Sequence, residues 1–265
     1  MLARSVSRLV AVAAWCWLGC ARPSKQTAVV EPAATAPTRG TIDDGHVAVV
    51  ELFTSEGCSS CPRADALLGE LVAETRGSGR NVLFLSFHVD YWDRLGFPDP
   101  WASAAFTARQ RAYARAFQQS GLYTPQAVIS GTDEVLGSDA SGLRQRIESA
   151  FSRSAEVRVG LSFPAAGDAE ELAVAYTLEG SFAGAVVNAA LVERDLVDTP
   201  TAGENEGATI RHQDVVRTFE TVRAQEQGNI VLAVPPGVRR DHASVVVYVQ
   251  REDDLAIVGG AARDL

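Results

Sequence analysis

The stretch Val47 to Leu68, VAVVELFTSEGCSSCPRADALL, governs how the rest of the chain is read. Its opening, Val47 to Thr54, is a Val-rich apolar run bounded by Gly45 and by Ser55-Glu56-Gly57, the pattern of a buried strand. Ala64, Leu67, Leu68, Leu71 and Val72 then recur at helical spacing and form one apolar stripe. Between strand and stripe lie Cys58-Ser59-Ser60-Cys61 and Pro62, and a proline is tolerated in the first helical turn. The spacing therefore predicts Cys58 exposed at a helix N-terminus, where free N–H groups and the helix dipole favour a thiolate. Asn81 to Val89 reads as a second buried strand, which completes a βαβ unit with parallel strands. His88 and Asp90 are then expected on one face near the cysteine turn.

Working outward, Asp99-Pro100 reads as a helix start, with Asp as N-cap. Phe106, Gln110, Tyr113 and Phe117 carry that helix to about Gln118, and Gly121 ends it. Tyr123-Thr124-Pro125-Gln126 leads into a strand at Ala127 to Ser130, a turn at Gly131 to Asp133, a return strand at Glu134 to Gly137 and a last helix at Ser141 to Ser152. After Ala155 the pattern becomes short strands separated by Gly, Pro, Asp and Asn, which predicts a separate β-sandwich-like domain over 156–265.

At the other end, Arg4 and Arg8 precede the apolar run Leu9 to Gly19, about half the length of a membrane-spanning helix and typical of a signal peptide over 1–19. Gly19-Cys20 resembles the lipobox of bacterial lipoproteins, which would make Cys20 the first mature residue, acylated and attached to a membrane. Plain signal cleavage is the alternative. Residues 20–44, rich in Ala, Thr and Pro, read as a disordered tether.

The 265 residues are 46% hydrophobic and 22% charged, an ordinary globular balance. The net charge of −9 becomes about −11 once Arg4 and Arg8 are removed, which argues against nucleic acid as a partner. No His-Glu-x-x-His or Gly-x-Ser-x-Gly occurs, so zinc-protease and serine-hydrolase chemistry have no sequence support. Of four cysteines, Cys16 and Cys20 belong to the export segment. Cys58 and Cys61 are too close in sequence to staple distant segments, so a redox dithiol is the functional reading and an inert cystine the structural one.

The order strand, CxxC at a helix start, strand, helix, Thr-Pro, hairpin, helix resembles the thioredoxin fold. VVELFTSEGCSSCPRADALL, LSFHVDYWDRLGFPDPWAS, FTARQRAYA, YTPQAVISG and GENEGATIRHQDVVR further resemble a family of bacterial secreted thioredoxin-like proteins catalogued as domain of unknown function 1223. The resemblance spans nearly all of 46–265. It implies an α/β thioredoxin-like fold over 45–155 with a helical insertion at about 91–119. It also implies a cis Pro125 facing the dithiol, with Thr124, Ser59 and Ser60 in a substrate groove. Glu51 falls where thioredoxins keep a buried acid serving the second cysteine. His212 and Asp214 stand where the family pattern has an aromatic and an Asn, and they receive no role.

On this reading Cys58 exchanges disulfides with a protein or small-molecule thiol and Cys61 resolves the mixed disulfide, without a cofactor. His88 is a candidate proton relay or a satisfied core histidine, and Glu51 a functional acid or a paired one. Asp90 and Asp93 read as loop or cap residues, and Tyr91, Trp92, Phe97 and Trp101 as core or groove wall. Two alternatives come from other classes: a copper chaperone binding Cu(I) through Cys58, Cys61 and His88, and a partner-binding scaffold with a vestigial dithiol.

Overall fold

The computed structural model describes residues 45–163 and 170–265; the expected export segment, Cys20 and the tether up to Asp44 lie outside the described residues. The first part runs β1 (Ala48–Thr54), α1 (Cys61–Ser78), β2 (Val82–His88), a 3-10 helix (Asp90–Leu95), α2 (Ala104–Ala116), β3 (Gln126–Ile129), β4 (Asp133–Leu136) and α3 (Ala140–Phe151). β1 and β2 are parallel, with Thr54 beside His88. β3 lies antiparallel on the other side of β1 and pairs with β4. β1 and β2 are continuous apolar runs because both faces are covered. Ala48, Val50, Leu52 and Phe84 pack against the α1 stripe and α3, while Val49, Phe53, Leu85 and Phe87 pack on the opposite face with Phe106 and Tyr113 of α2. α1 stops at Gly79, whose φ of 71° is the left-handed cap that glycine adopts without a steric penalty.

Helix α2 starts later than its sequence suggests. Ser103, not Asp99, caps it, accepting from the Ala105 N–H at 3.2 Å. The Asp99 carboxylate turns inward instead, with consequences described below.

The second part contains β5 (Val157–Ser162), β6 (Glu171–Gly180), β7 (Ala185–Glu193), β8 (Leu196–Asp198), β9 (Ile210–His212), β10 (Val215–Arg223), β11 (Gln227–Ala233), β12 (Ala243–Arg251) and β13 (Ile257–Asp264). It does not fold apart from the first. One eight-stranded sheet runs β13-β12-β7-β10-β2-β1-β3-β4, so the expected division at 155/156 falls inside a shared sheet. The join is β10 on β2, with Val215 beside Ser86 and the Ser86 N–H donating to the Asp214 carbonyl at 2.8 Å. A smaller sheet, β11-β6-β5, packs face to face on the β7, β12 and β13 end. Val174, Tyr176 and Leu232 there meet Val187, Leu191, Val245 and Val247, giving sandwich-like packing on an extension of the first sheet. The short pair β8–β9 carries the loop 199–209 back over the end of β1.

Candidate functional site

β1 and β2 are parallel, so both deliver their C-terminal ends to one edge of the sheet, where the chain turns through Ser55–Ser60 into α1. Cys58 and Cys61 are joined in a disulfide, their Cα atoms 5.4 Å apart. Cys61 opens α1 and Cys58 lies in the turn before it, one step further out than the sequence suggests. Gly57 is required here: a Cβ would stand 2.9 Å from Trp92 Cβ and 3.2 Å from the Trp92 carbonyl oxygen, so only glycine lets the 3-10 helix close on the turn.

The proline loop faces the disulfide. Thr124–Pro125 is a cis peptide bond. Ser60 Oγ lies 3.3 Å from Cys58 Sγ and donates to the Thr124 carbonyl at 3.4 Å. Trp92 Nε1–H donates to Thr124 Oγ1 at 2.8 Å, tying the 3-10 helix to the same loop. Pro125 and Ala64 both lie within about 3.3 Å of where a Gly137 Cβ would stand, which sets the proline against the first turns of α1. Ser59 and Ser60 are exposed, and Thr124, Tyr91 and Trp92 are half-buried along this groove. Burial raises the Tyr91 hydroxyl pKa above its ordinary value.

The sulfurs themselves are covered. Cys58 is 1% exposed and Cys61 0%, which corrects the expectation of an exposed Cys58. The cover comes from the loop between β8 and β9. Asn205 Nδ2 donates to the Glu56 carbonyl at 2.8 Å and to the Cys58 carbonyl at 2.9 Å. The Glu204 carboxylate accepts the Ser59 N–H at 3.0 Å, and the Ser59 side chain together with that N–H holds its pKa below the usual carboxylate value. No local sequence pattern announces a loop that reaches back nearly 150 residues.

Beneath the turn lies a buried polar cluster from five segments: Glu56 of the turn, Asp65 of α1, His88 of β2, Asp99 and His212 of β9. His88 Nδ1 is 2.7 Å from Asp99 Oδ2, which also accepts the Glu56 N–H at 2.9 Å. Burial alone would raise the Asp99 pKa, but the charge and hydrogen bond of His88 outweigh it and lower the value. His212 Nε2 sits 2.5 Å from Glu56 Oε1, and its Nδ1 faces Asp65 Oδ1 at 3.7 Å. Burial pulls the His212 pKa down, but the Asp65 and Glu56 carboxylates facing its two ring nitrogens outweigh that and push it up to about 10, which favours the charged ring at neutral pH. The His88 and His212 rings are 4.9 Å apart and both contact Trp101 edge-on. Thr54 Oγ1 donates to Asp65 Oδ2 at 3.2 Å. Glu56 Oε2, Asp65 Oδ1, His88 Nε2 and His212 Nδ1 are buried without a hydrogen-bond partner.

Other expected residues fall elsewhere. Glu51 alternates with Leu52 and points to the α2 face, away from the α1 face that carries Cys61. There it accepts from Arg109 at 2.7 and 2.9 Å, from the Tyr113 hydroxyl, and from the Tyr248 hydroxyl at 2.5 Å. It is a paired structural charge, and no bond links it to the dithiol. Asp90 opens the 3-10 helix beyond the end of β2, so strand alternation from His88 does not extend to it, and Thr107 of α2 donates to its carboxylate at 2.6 Å. Asp93 accepts the Asp99 N–H at 3.2 Å and acts within the loop. His88 sits beside the turn, but among the described residues no three His, Cys, Asp or Glu side chains are placed to hold a metal ion. Nor, among these residues, is any helix long and apolar enough to cross a membrane.

His212, Glu56, Asp65, Asp99, Glu204 and Asn205 are the site residues that sequence reasoning missed. Asp65, one helical turn after Cys61, was open to detection by spacing.

A crystal structure of a protein from Agrobacterium tumefaciens matches at 30% identity and a TM-score of 0.60, over 81% of this chain and 92% of that one. A domain of the outer membrane lipoprotein Omp28 from Porphyromonas gingivalis matches at 13% identity and a TM-score of 0.28, over 42% of this chain and 96% of that one. A search of curated proteins found no match. The model of the family described as protein of unknown function, DUF1223, matches residues 49–250, and the chain belongs to that family.

Proposed function

We propose that this protein is an exported thiol–disulfide exchange protein with a thioredoxin-like site, its Cys58–Cys61 pair reacting with a protein or small-molecule thiol. The observation that carries the reading is the disulfide in a strand-to-helix turn, its Ser60 hydroxyl bonded to the carbonyl that precedes cis-Pro125. An incoming thiolate attacks Cys58 Sγ, the S–S bond breaks, and the electron pair leaves on Cys61 Sγ. Cys58 is the attacked sulfur because it lies in the turn, whereas Cys61 is locked into α1. With the sulfurs covered, exchange requires Glu204 and Asn205 to lift from the turn. Export rests on Arg4, Arg8 and the apolar run to Gly19, with Cys20 as the acylation site.

The test is reduction of insulin disulfides by the mature protein, with trapping by Cys61→Ser. Catalysis lost in Cys58→Ala, together with a mixed disulfide on the trap, supports the reading. The burial of both sulfurs favours a second reading, an inert structural disulfide. A folded protein whose disulfide survives millimolar dithiothreitol, with no trapped partner, would establish that reading instead.

A further inference from the structure

The exchange reading leaves one step without a stated agent. When the disulfide opens, Cys61 Sγ receives an electron pair in a place that water does not reach, Cys61 being 0% exposed. A lone buried thiolate is costly, so a proton must come from within. The buried titratable side chains beneath the turn are the five of the polar cluster. Asp99 and His88 are bonded to one another at 2.7 Å, and Glu56 is bonded to His212. Asp65 differs. It lies four residues after Cys61, on the same face of α1. One of its oxygens is buried and unpartnered, and that oxygen faces the equally unpartnered Nδ1 of His212 at 3.7 Å.

Resting on the exchange reading, we infer that His212 and Asp65 form an internal proton relay to Cys61, with His212 as the proton store and Asp65 as the carrier. In the balanced step, a thiolate RS⁻ bonds to Cys58 Sγ and the S–S bond breaks. The pair on Cys61 Sγ takes a proton by way of Asp65, and His212 gives up its Nδ1 proton and becomes neutral. The products are a mixed disulfide, a neutral Cys61 thiol and a neutral imidazole; oxidation runs the same path in reverse. His212 is suited to the store because Glu56 and Asp65 keep it charged up to about pH 10. It stands beside Asp65 because β9, from the second half of the chain, packs against α1.

The test is stopped-flow reduction of the full mature protein by dithiothreitol between pH 6 and 10, with rates divided by the thiolate fraction of the reagent. Wild type is expected to be flat below about pH 9. His212→Gln is expected to be slower by ten-fold or more at pH 8, its corrected rate rising as the pH falls because solvent must now supply the proton. Asp65→Asn keeps an acceptor for Thr54 but cannot pass a proton, and is expected to show the same profile; it decides the matter if His212→Gln does not fold. A purely structural role would loosen the cover, giving unchanged or faster reduction with a flat profile, and that result overturns the relay alone. A wild-type disulfide that no thiol reduces overturns the exchange reading and the relay together.

Discussion

Two buried charge clusters flank β1, and they are built to opposite standards. On the α2 face, Glu51, Arg109, Tyr113, Tyr248 and Gln250 form a closed network in which every carboxylate oxygen has a donor. Beneath the disulfide, Glu56, Asp65, His88, Asp99 and His212 leave four polar atoms without partners. A buried polar group left unpaired costs about 1–3 kcal/mol, so the second arrangement is the more expensive one to keep. On the proposed relay, the contrast separates charge used as mortar from charge held available for chemistry: the satisfied cluster lies on the α2 face, the unsatisfied one beneath the turn that carries Cys58.

The largest expected effect breaks the first cluster. Glu51→Ala strands the Arg109 guanidinium and should lower unfolding free energy by about 3–5 kcal/mol in a urea titration, because an unpaired buried charge is left behind. Thiol reactivity in whatever folded protein remains should not change. If reactivity falls with stability intact, the division between the clusters is wrong.

The second prediction concerns pH. His212 has its folded pKa raised to about 10, above an unfolded value near 6.5. Its contribution is therefore complete below about pH 6.5 and disappears as the pH rises through about 10. The stability gap between wild type and His212→Gln should be about 3 kcal/mol at pH 6 and narrow steadily toward pH 10. Urea midpoints at pH 6, 8 and 10 check this; a gap that does not narrow means that the ring is held neutral.

Third, Asn205→Ala removes two hydrogen bonds from the cover at a cost of about 1–2 kcal/mol. It should speed reduction of the disulfide by dithiothreitol several-fold at pH 8. No acceleration would mean that the loop 199–209 does not limit access.

The smallest effect is at Asp214, a buried carboxyl whose pKa burial raises to about 6. The folded state then binds the extra proton between about pH 4 and 6, so stability falls as the pH rises through that range. Asp214→Asn, at a left-handed φ of 48° that Asn tolerates, should gain about 1 kcal/mol at pH 7.5 and nothing at pH 4. Urea titrations at the two pH values measure it.

Much of the first half was legible. The Val-rich runs and the stripe from Ala64 to Val72 are local signals, and each forms the strand or helix its period demands. Helix α2 was misplaced at its start because Asp99-Pro100 offers a good cap in sequence, while in space the carboxylate is drawn inward to His88 and the Glu56 N–H. The site itself was half legible. Cys58, Cys61 and Pro125 stand in recognisable patterns, but the cover and His212 arrive from residues 204–212, and nothing local records which sheet edge β10 will choose. Glu51 shows another limit: a charge in an apolar run reads as a functional acid or a paired one, and only the distant Arg109 decides for the pair.

The pairing of β10 with β2 bears on how this chain can be handled at the bench. A recombinant piece stopped at residue 155 would carry every helix of the structure's first half, yet present the outer backbone of β2 bare, with Leu85 and Phe87 stripped of the strands that now shield them. Such a rim invites self-association. Dissecting the disulfide's chemistry therefore calls for point substitutions in the intact polypeptide, because trimming would remove the scaffold along with the appendage.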